Sequence, residues 1–103
     1  MKAWRLAGVA VLLAAAASSA PAYTVKGSIT CPNVIEEDAN ENFRDMNKWW
    51  LLGYFTARNY NDALDVGLDI DDDNLYQMAL GYCQGHPDND WDDAAIHVYD
   101  MLD

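Results

Sequence analysis

Basic residues are scarce in this 103-residue chain: six Lys and Arg stand against 17 Asp and Glu. Two of the six, Lys2 and Arg5, fall in the first five residues. From Tyr23 onward only Lys26, Arg44, Lys48 and Arg58 remain against all 17 acids, a formal charge of −13. A surface of that sign makes nucleic acid and anionic lipid poor partners. Histidine is almost as rare, with only His86 and His97. No Ser or Cys stands beside either in a nucleophile arrangement. Two histidines and two cysteines, widely spaced, do not make a zinc ligand set. The chain therefore reads as a non-enzyme that needs no metal and no cofactor. After residue 22 no apolar run approaches the ~20 residues of a membrane-spanning helix.

The one long apolar run is at the start. "MKAWR" is basic, "LAGVAVLLAAAASSA" is apolar and Ala-rich, and "APA" closes at Ala22 with small residues at Ala20 and Ala22. Basic, apolar and small-residue regions in that order predict a secretory signal peptide over residues 1–22, cleaved after Ala22. The working chain is then Tyr23–Asp103, one small domain of 81 residues with a limited core and no membrane attachment. Export gives the two cysteines a meaning. Cys31 and Cys83 are expected to pair as the domain's single disulfide.

The rest reads as all-α, a bundle of about four helices. Thr30 caps a short helix that carries Pro32 in its first turn and Glu36, Glu37 and Asp38 after it. A long helix runs from about Glu41 to Tyr60. Phe43, Met46, Trp50, Tyr54 and Ala57 recur on it at spacings of three and four, the expected inward face. Gly53 in its middle costs about 1 kcal/mol against Ala, which suggests that another backbone passes close by. "NDALDVGLDIDDD" is a turn-rich connection. Asp71 or Asp72 caps a third helix, "NLYQMALGYCQ", with Leu75, Met78 or Ala79, and Tyr82 inward. Gly85 ends it, and Pro87 keeps it from restarting. Asn89 or Asp90 caps the last helix, whose face is Trp91, Ala94, Ala95, Val98, Met101 and Leu102. Asp92 and Asp93 lie in its first turn, where the helix dipole favours them.

Two motifs fail on inspection. Asp69, Asp71 and Asp73 alternate as in an EF-hand loop, but the sixth and twelfth positions hold Asn74 and Leu80, not Gly and Glu. The run from Asp88 fails at Asp93 and Tyr99 in the same way. His86-Pro87-Asp88 matches the tripeptide of J-domain co-chaperones, but the helix before it has no basic residue.

"DMNKWWLLGYFTARNYND", Asp45 to Asp62, is the most informative stretch. Trp49, Trp50, Leu51, Leu52, Tyr54, Phe55 and Tyr60 spread nearly all round one helix. A four-helix domain cannot easily cover them all. Either this is a central helix enclosed by its neighbours, or one flank is an association surface for a second copy or for another protein.

Thr30-Cys31, the pair Trp49-Trp50, and Tyr82-Cys83 followed by Pro87 together resemble the HdeA/HdeB acid-stress chaperones, over roughly Thr30 to Tyr99. Those are small periplasmic all-helical proteins with one disulfide. The resemblance implies a periplasmic, ATP-independent chaperone over residues 23–103, with Trp49, Trp50, Leu52, Tyr54 and Phe55 supplying the dimer or client contacts. It would be a homodimer at neutral pH and would hold unfolding client proteins when acid loosens it. "WLLGYFTARN" is more loosely similar to the Rap1a/Tai immunity proteins, which inhibit cell-wall amidase toxins. That implies instead a single protein partner. The chain departs from the chaperones in having few lysines. With a sequence pI near 4.1, its carboxylates repel one another at neutral pH, and falling pH relieves that repulsion. The expectation is binding in mild acid, about pH 4 to 5.

Overall fold

The computed structural model describes residues 23–103, so the signal-peptide reading of residues 1–22 lies outside the described residues. Four helices follow in order: α1 Cys31–Glu37, α2 Glu41–Asp62, α3 Asp72–Gly85 and α4 Trp91–Leu102. Among the described residues there is no strand, and no helix is long and apolar enough to cross a membrane.

Local chemistry fixes the helix ends. Thr30 Oγ1 accepts the Asn33 N–H at 3.3 Å, and Pro32 occupies the first turn, where a missing N–H costs nothing. Asn40 Oδ1 accepts the N–H groups of Asn42 and Phe43 at the start of α2. That helix passes its expected end at Tyr60 and stops at Ala63, which turns left-handed with φ 56°. Asp71 Oδ1 caps α3 by accepting the Asn74 N–H at 2.8 Å. At α4 the cap comes partly from outside: Ser28 Oγ accepts the Asp92 N–H at 3.0 Å. The Asp90 N–H meanwhile donates to Asp93 Oδ2 at 2.9 Å. The lead-in is held there by backbone too, because Cys31 N–H donates to Asn89 and Trp91 N–H donates to Ile29.

α3 packs against both α1 and α4, and α2 lies across all three. Trp91, Tyr76 and Tyr99 are the largest fully enclosed side chains. Their polar ends are all bonded. Trp91 Nε1–H donates to the Asn47 carbonyl at 3.0 Å, Tyr76 Oη–H to Asp38 Oδ1 at 2.6 Å and Tyr99 Oη–H to Asn59 Oδ1 at 2.6 Å. Burying the aromatic bodies gains the hydrophobic term without leaving a polar atom unpaired. Cys31 and Cys83 form the disulfide, with Cα atoms 4.9 Å apart and both residues fully buried. It ties the first residue of α1 to the last turn of α3.

Several expected faces are shifted. The inward side of α2 is Asn47, Leu51 and Phe55, whereas Phe43, Met46 and Ala57 are exposed. Leu51 and Phe55 lie four apart on the side where α3 and α4 supply neighbours, and each contributes roughly 1.5–3 kcal/mol by burial. α1 has only seven residues, too short to cover the side that Phe43 and Met46 occupy. Gly53 was expected under a second backbone. Among the described residues a Cβ there would meet nothing within 4 Å. In α3, Tyr76, Leu80 and Cys83 are buried with Leu75 and Ala79, while Met78 and Tyr82 are only half-buried. In α4 the enclosed residue near the end is Tyr99, and Met101 is exposed.

Candidate functional site

α2 carries the five residues expected to make contacts, and they divide between two flanks. Trp50 and Tyr54 face one way. Their rings stack at 6.3 Å, and Trp50 Nε1–H donates to the Lys26 carbonyl at 2.7 Å. The Tyr54 hydroxyl accepts from Arg58 Nη1 at 3.0 Å, and its ring meets Tyr99 edge-on. Both side chains are half-buried and serve internal contacts. Trp49 and Leu52 face the other way. Trp49 is 64% exposed and Leu52 half-buried, with Phe55 below them at 4%.

That second flank forms one wall of a groove of about 370 Å³. The opposite wall is the connection between α2 and α3, chiefly Val66, Gly67, Leu68 and Ile70. Leu68 is 75% exposed on its rim. The connection is held in place at two points. Asn59 acts as a substitute backbone, since its Nδ2–H donates to the Val66 carbonyl and its Oδ1 accepts the Val66 N–H, each at 3.0 Å. Gly67 then takes φ +85° and lies against the Phe55 ring, where a Cβ would come within 3.2 Å of the ring carbons. Only glycine combines that conformation with that approach. Asn59 was not singled out from the sequence; an Asn one turn before a helix end is too common to mark. Gly67 carried a weak signal, as a Gly inside an acidic connection.

Beyond the groove, an exposed apolar strip continues along α2 through Met46 and Phe43, 64% and 47% exposed. Tyr60 stands out at the other end, 90% exposed. The strip and the groove share Trp49.

The charges around this surface are mostly negative. Two of the four cations bridge helices: Lys48 Nζ lies 2.9 Å from Asp73 Oδ1, and Arg58 Nη2 lies 2.7 Å from Asp100 Oδ1. The hydrogen bond to Asp73 raises the Lys48 pKa against the opposing effect of desolvation, and attraction to Asp73, Asp45 and Asp72 adds to the rise. Arg58 also lies over the Tyr99 ring at 4.1 Å. Asp65 and Asp72 line the groove, and among the described residues no basic side chain does.

The remaining polar clusters are accounted for by the fold. Asp90, Asp92 and Asp93 bring carboxylate oxygens within 4.8 Å of one another. They cap α4, and Asp92 also receives Ser28 Oγ–H at 3.1 Å. The ring of Tyr82 has both histidines packed on it, His86 at 4.0 Å and His97 at 4.6 Å. His86 Nδ1–H donates to the Tyr82 carbonyl at 2.8 Å, which closes the end of α3. The tripeptide His86-Pro87-Asp88 is thus a helix stop.

Comparison with protein-family models, with curated proteins and with solved structures gives no match.

Proposed function

We propose that this protein is an ATP-independent periplasmic chaperone that binds unfolding proteins in mild acid. The observation that carries the reading is the apolar surface of α2. Phe43, Met46, Trp49 and the groove beside Leu52 and Leu68 lie open to solvent on a small domain already stapled by a disulfide. Exposed apolar area of this kind marks a binding surface more often than chance exposure does. The resemblance to the HdeA/HdeB chaperones and the export signal read in residues 1–22 point the same way. Control by pH follows from charge. At neutral pH the carboxylates on both sides of an encounter repel, and protonation removes that penalty while the apolar surface stays formed.

The test mixes Tyr23–Asp103 with an acid-labile reporter enzyme and follows light scattering from about pH 7 to about pH 2. Suppression of aggregation, strongest near pH 4 to 5, is expected. No suppression at any pH refutes the chaperone reading.

A second reading has one observation in its favour. The groove is rigidly built by Asn59 and Gly67, and a preformed groove suits one fixed partner as well as many loose clients. On that reading the protein masks a single enzyme, as the Rap1a/Tai immunity proteins do with cell-wall amidase toxins. Stoichiometric inhibition of a purified amidase at neutral pH supports it, and full amidase activity with the protein in excess removes it.

A further inference from the structure

The groove between α2 and the α2–α3 connection has a chemistry that selects its occupant. Its lining is mixed: Phe55, Leu52, Val66 and Leu75 supply apolar contacts, and Thr56, Asn59, Asp65 and Asp72 supply polar ones. Its volume, about 370 Å³, is at the lower end for ligand pockets and takes a few apolar side chains, not a folded surface. Two carboxylates line it, Asp65 and Asp72, and among the described residues the lining includes no Lys or Arg. Neither carboxylate is committed to an ion pair among the described residues, whereas the nearest cations are: Lys48 with Asp73, and Arg58 with Asp100. Around the groove the domain carries 17 acids against four basic residues. A second copy of the domain, residues 23–103, brings the same formal charge of −13 to any encounter. Net charge of that size opposes self-association at neutral pH.

We infer that the groove binds a short apolar segment flanked by lysine or arginine, presented by an unfolded or flexible region of another protein. The apolar centre sits on Phe55 and Leu52, and the flanking cations meet Asp65 and Asp72. Such a segment changes the electrostatic term from repulsion to attraction, which raises the encounter rate and selects against acidic segments. This inference rests on the chaperone reading and gives its clients a class. This attraction needs ionised carboxylates on the domain, so for basic segments it is strongest at neutral pH and persists down toward the sequence pI near 4.1; acid widens the range to acidic clients, whose repulsion it removes.

The probe is a synthetic peptide with a Leu-Val-Phe centre and two lysines on each side. Its controls carry two glutamates or two serines on each side. Binding to Tyr23–Asp103 is followed at neutral pH and near pH 5 by tryptophan fluorescence, since Trp49 borders the groove and the peptides contain no Trp. The lysine-flanked peptide is expected to bind about tenfold or more tighter than the glutamate-flanked one. The preference should collapse in about 1 M salt, where the Debye length is ~3 Å. Asp65→Asn combined with Asp72→Asn should reduce it several-fold. Leu68→Ser, at a site 75% exposed and therefore neutral for folding, should weaken all three peptides. Equal binding of the lysine and glutamate peptides, or a preference unchanged by the paired Asp→Asn variant, overturns the inference. So does sedimentation showing that the groove is filled by a second copy, in a dimer that Leu68→Ser breaks. The scattering assay on the same preparations keeps the two proposals apart. Suppressed aggregation without lysine preference removes the groove inference alone. Lysine preference without suppression removes the chaperone reading and leaves the groove as the site of a basic partner.

Discussion

Loss of the disulfide is the perturbation with the largest effect that the structure allows to be estimated in advance. Cys31 and Cys83 are separated by 52 positions. Closing a loop of that size in the unfolded chain removes entropy worth about 4 kcal/mol at room temperature. A domain of 81 residues has a total stability of roughly 4–12 kcal/mol. The bond thus supplies between a third and nearly all of it. Most of that effect falls on the unfolded ensemble, but the native state has a local stake as well. α1 has seven residues, and only Cys31 and Val34 of them are buried. The backbone pairing of Cys31 with Asn89 and of Ile29 with Trp91 is its other anchor. The paired variant Cys31→Ala with Cys83→Ala should therefore lose about 3–5 kcal/mol, including a small packing loss. The assay is guanidinium unfolding followed by tryptophan fluorescence, with native-state hydrogen exchange on residues 31–37. The variant's midpoint should drop steeply, and α1 amides should exchange before those of α3. Reduced wild-type protein should reproduce the shift without the change in packing. A loss below about 1 kcal/mol in both preparations would show that the unfolded chain is already compact across this loop, and the entropic argument would fail.

Two glycines should respond in opposite directions. Gly53→Ala, in an exposed helix interior with open space around it, should stabilise the fold by up to about 1 kcal/mol; a thermal melt decides. Gly67→Ala should destabilise by about 1–2 kcal/mol, because φ +85° and the Phe55 ring both oppose a methyl group. Its peptide binding should fall as the groove wall shifts. Asn59→Leu removes both bonds to Val66 and the one from Tyr99. Leaving buried groups unpaired there should cost about 2–3 kcal/mol in chemical denaturation. In alkali, burial is the main cause holding the Tyr76 phenol protonated above its ordinary 10.0, helped by Asp38, and burial likewise raises Tyr99. A raised pKa favours the protonated fold. Stability should be fully present below about pH 10 and fall as pH rises above it, with the phenols ionising late and cooperatively on ultraviolet titration.

The helix ends were legible because their chemistry is local. Thr30 before Pro32, Asp71 before an apolar run, and Gly85 before Pro87 each satisfy or release backbone groups within a few residues. The all-α class followed from pattern, and the cysteine pair from the expectation of an exported domain. What failed was the rotation of α2. Ranking its residues by hydrophobicity selects Phe43 and Met46. The inward side instead runs through Arg44, Asn47, Lys48, Leu51, Phe55, Arg58 and Asn59, a mixture of polar and apolar types. Those polar side chains face inward because of partners outside their own helix: Glu37 for Asn47, Asp73 for Lys48, Tyr99 and Val66 for Asn59. No periodicity encodes such pairings. The candidate site was partly legible. Trp49 and Leu52 could be picked from their excess apolar character. The groove was not, since its far wall depends on Asn59 and Gly67 placing a connection that reads only as acidic turn.

The distribution of charge bears on what acid can do to this domain. The two ion pairs that bridge helices, Lys48–Asp73 and Arg58–Asp100, have partners 82% and 55% exposed on the acidic side. Exposed pairs of this kind contribute little, so protonating Asp73 and Asp100 costs the fold little. The core is tied by a disulfide, four buried aromatic residues and hydrogen bonds, of which those of Tyr76 to Asp38 and Asn47 to Glu37 end on carboxylates. Acid therefore acts first on the surface, where it lowers the repulsion among many carboxylates, and only weakly on the packing beneath. On the chaperone reading, the trigger is then discharge of a surface that is already formed rather than partial unfolding. The two mechanisms differ in a measurable way: near-ultraviolet dichroism of Trp91 and Tyr99 should stay native at the pH where aggregation is first suppressed. Loss of that signal before suppression begins would place the binding surface inside the core, and the α2 groove would no longer be needed to explain it.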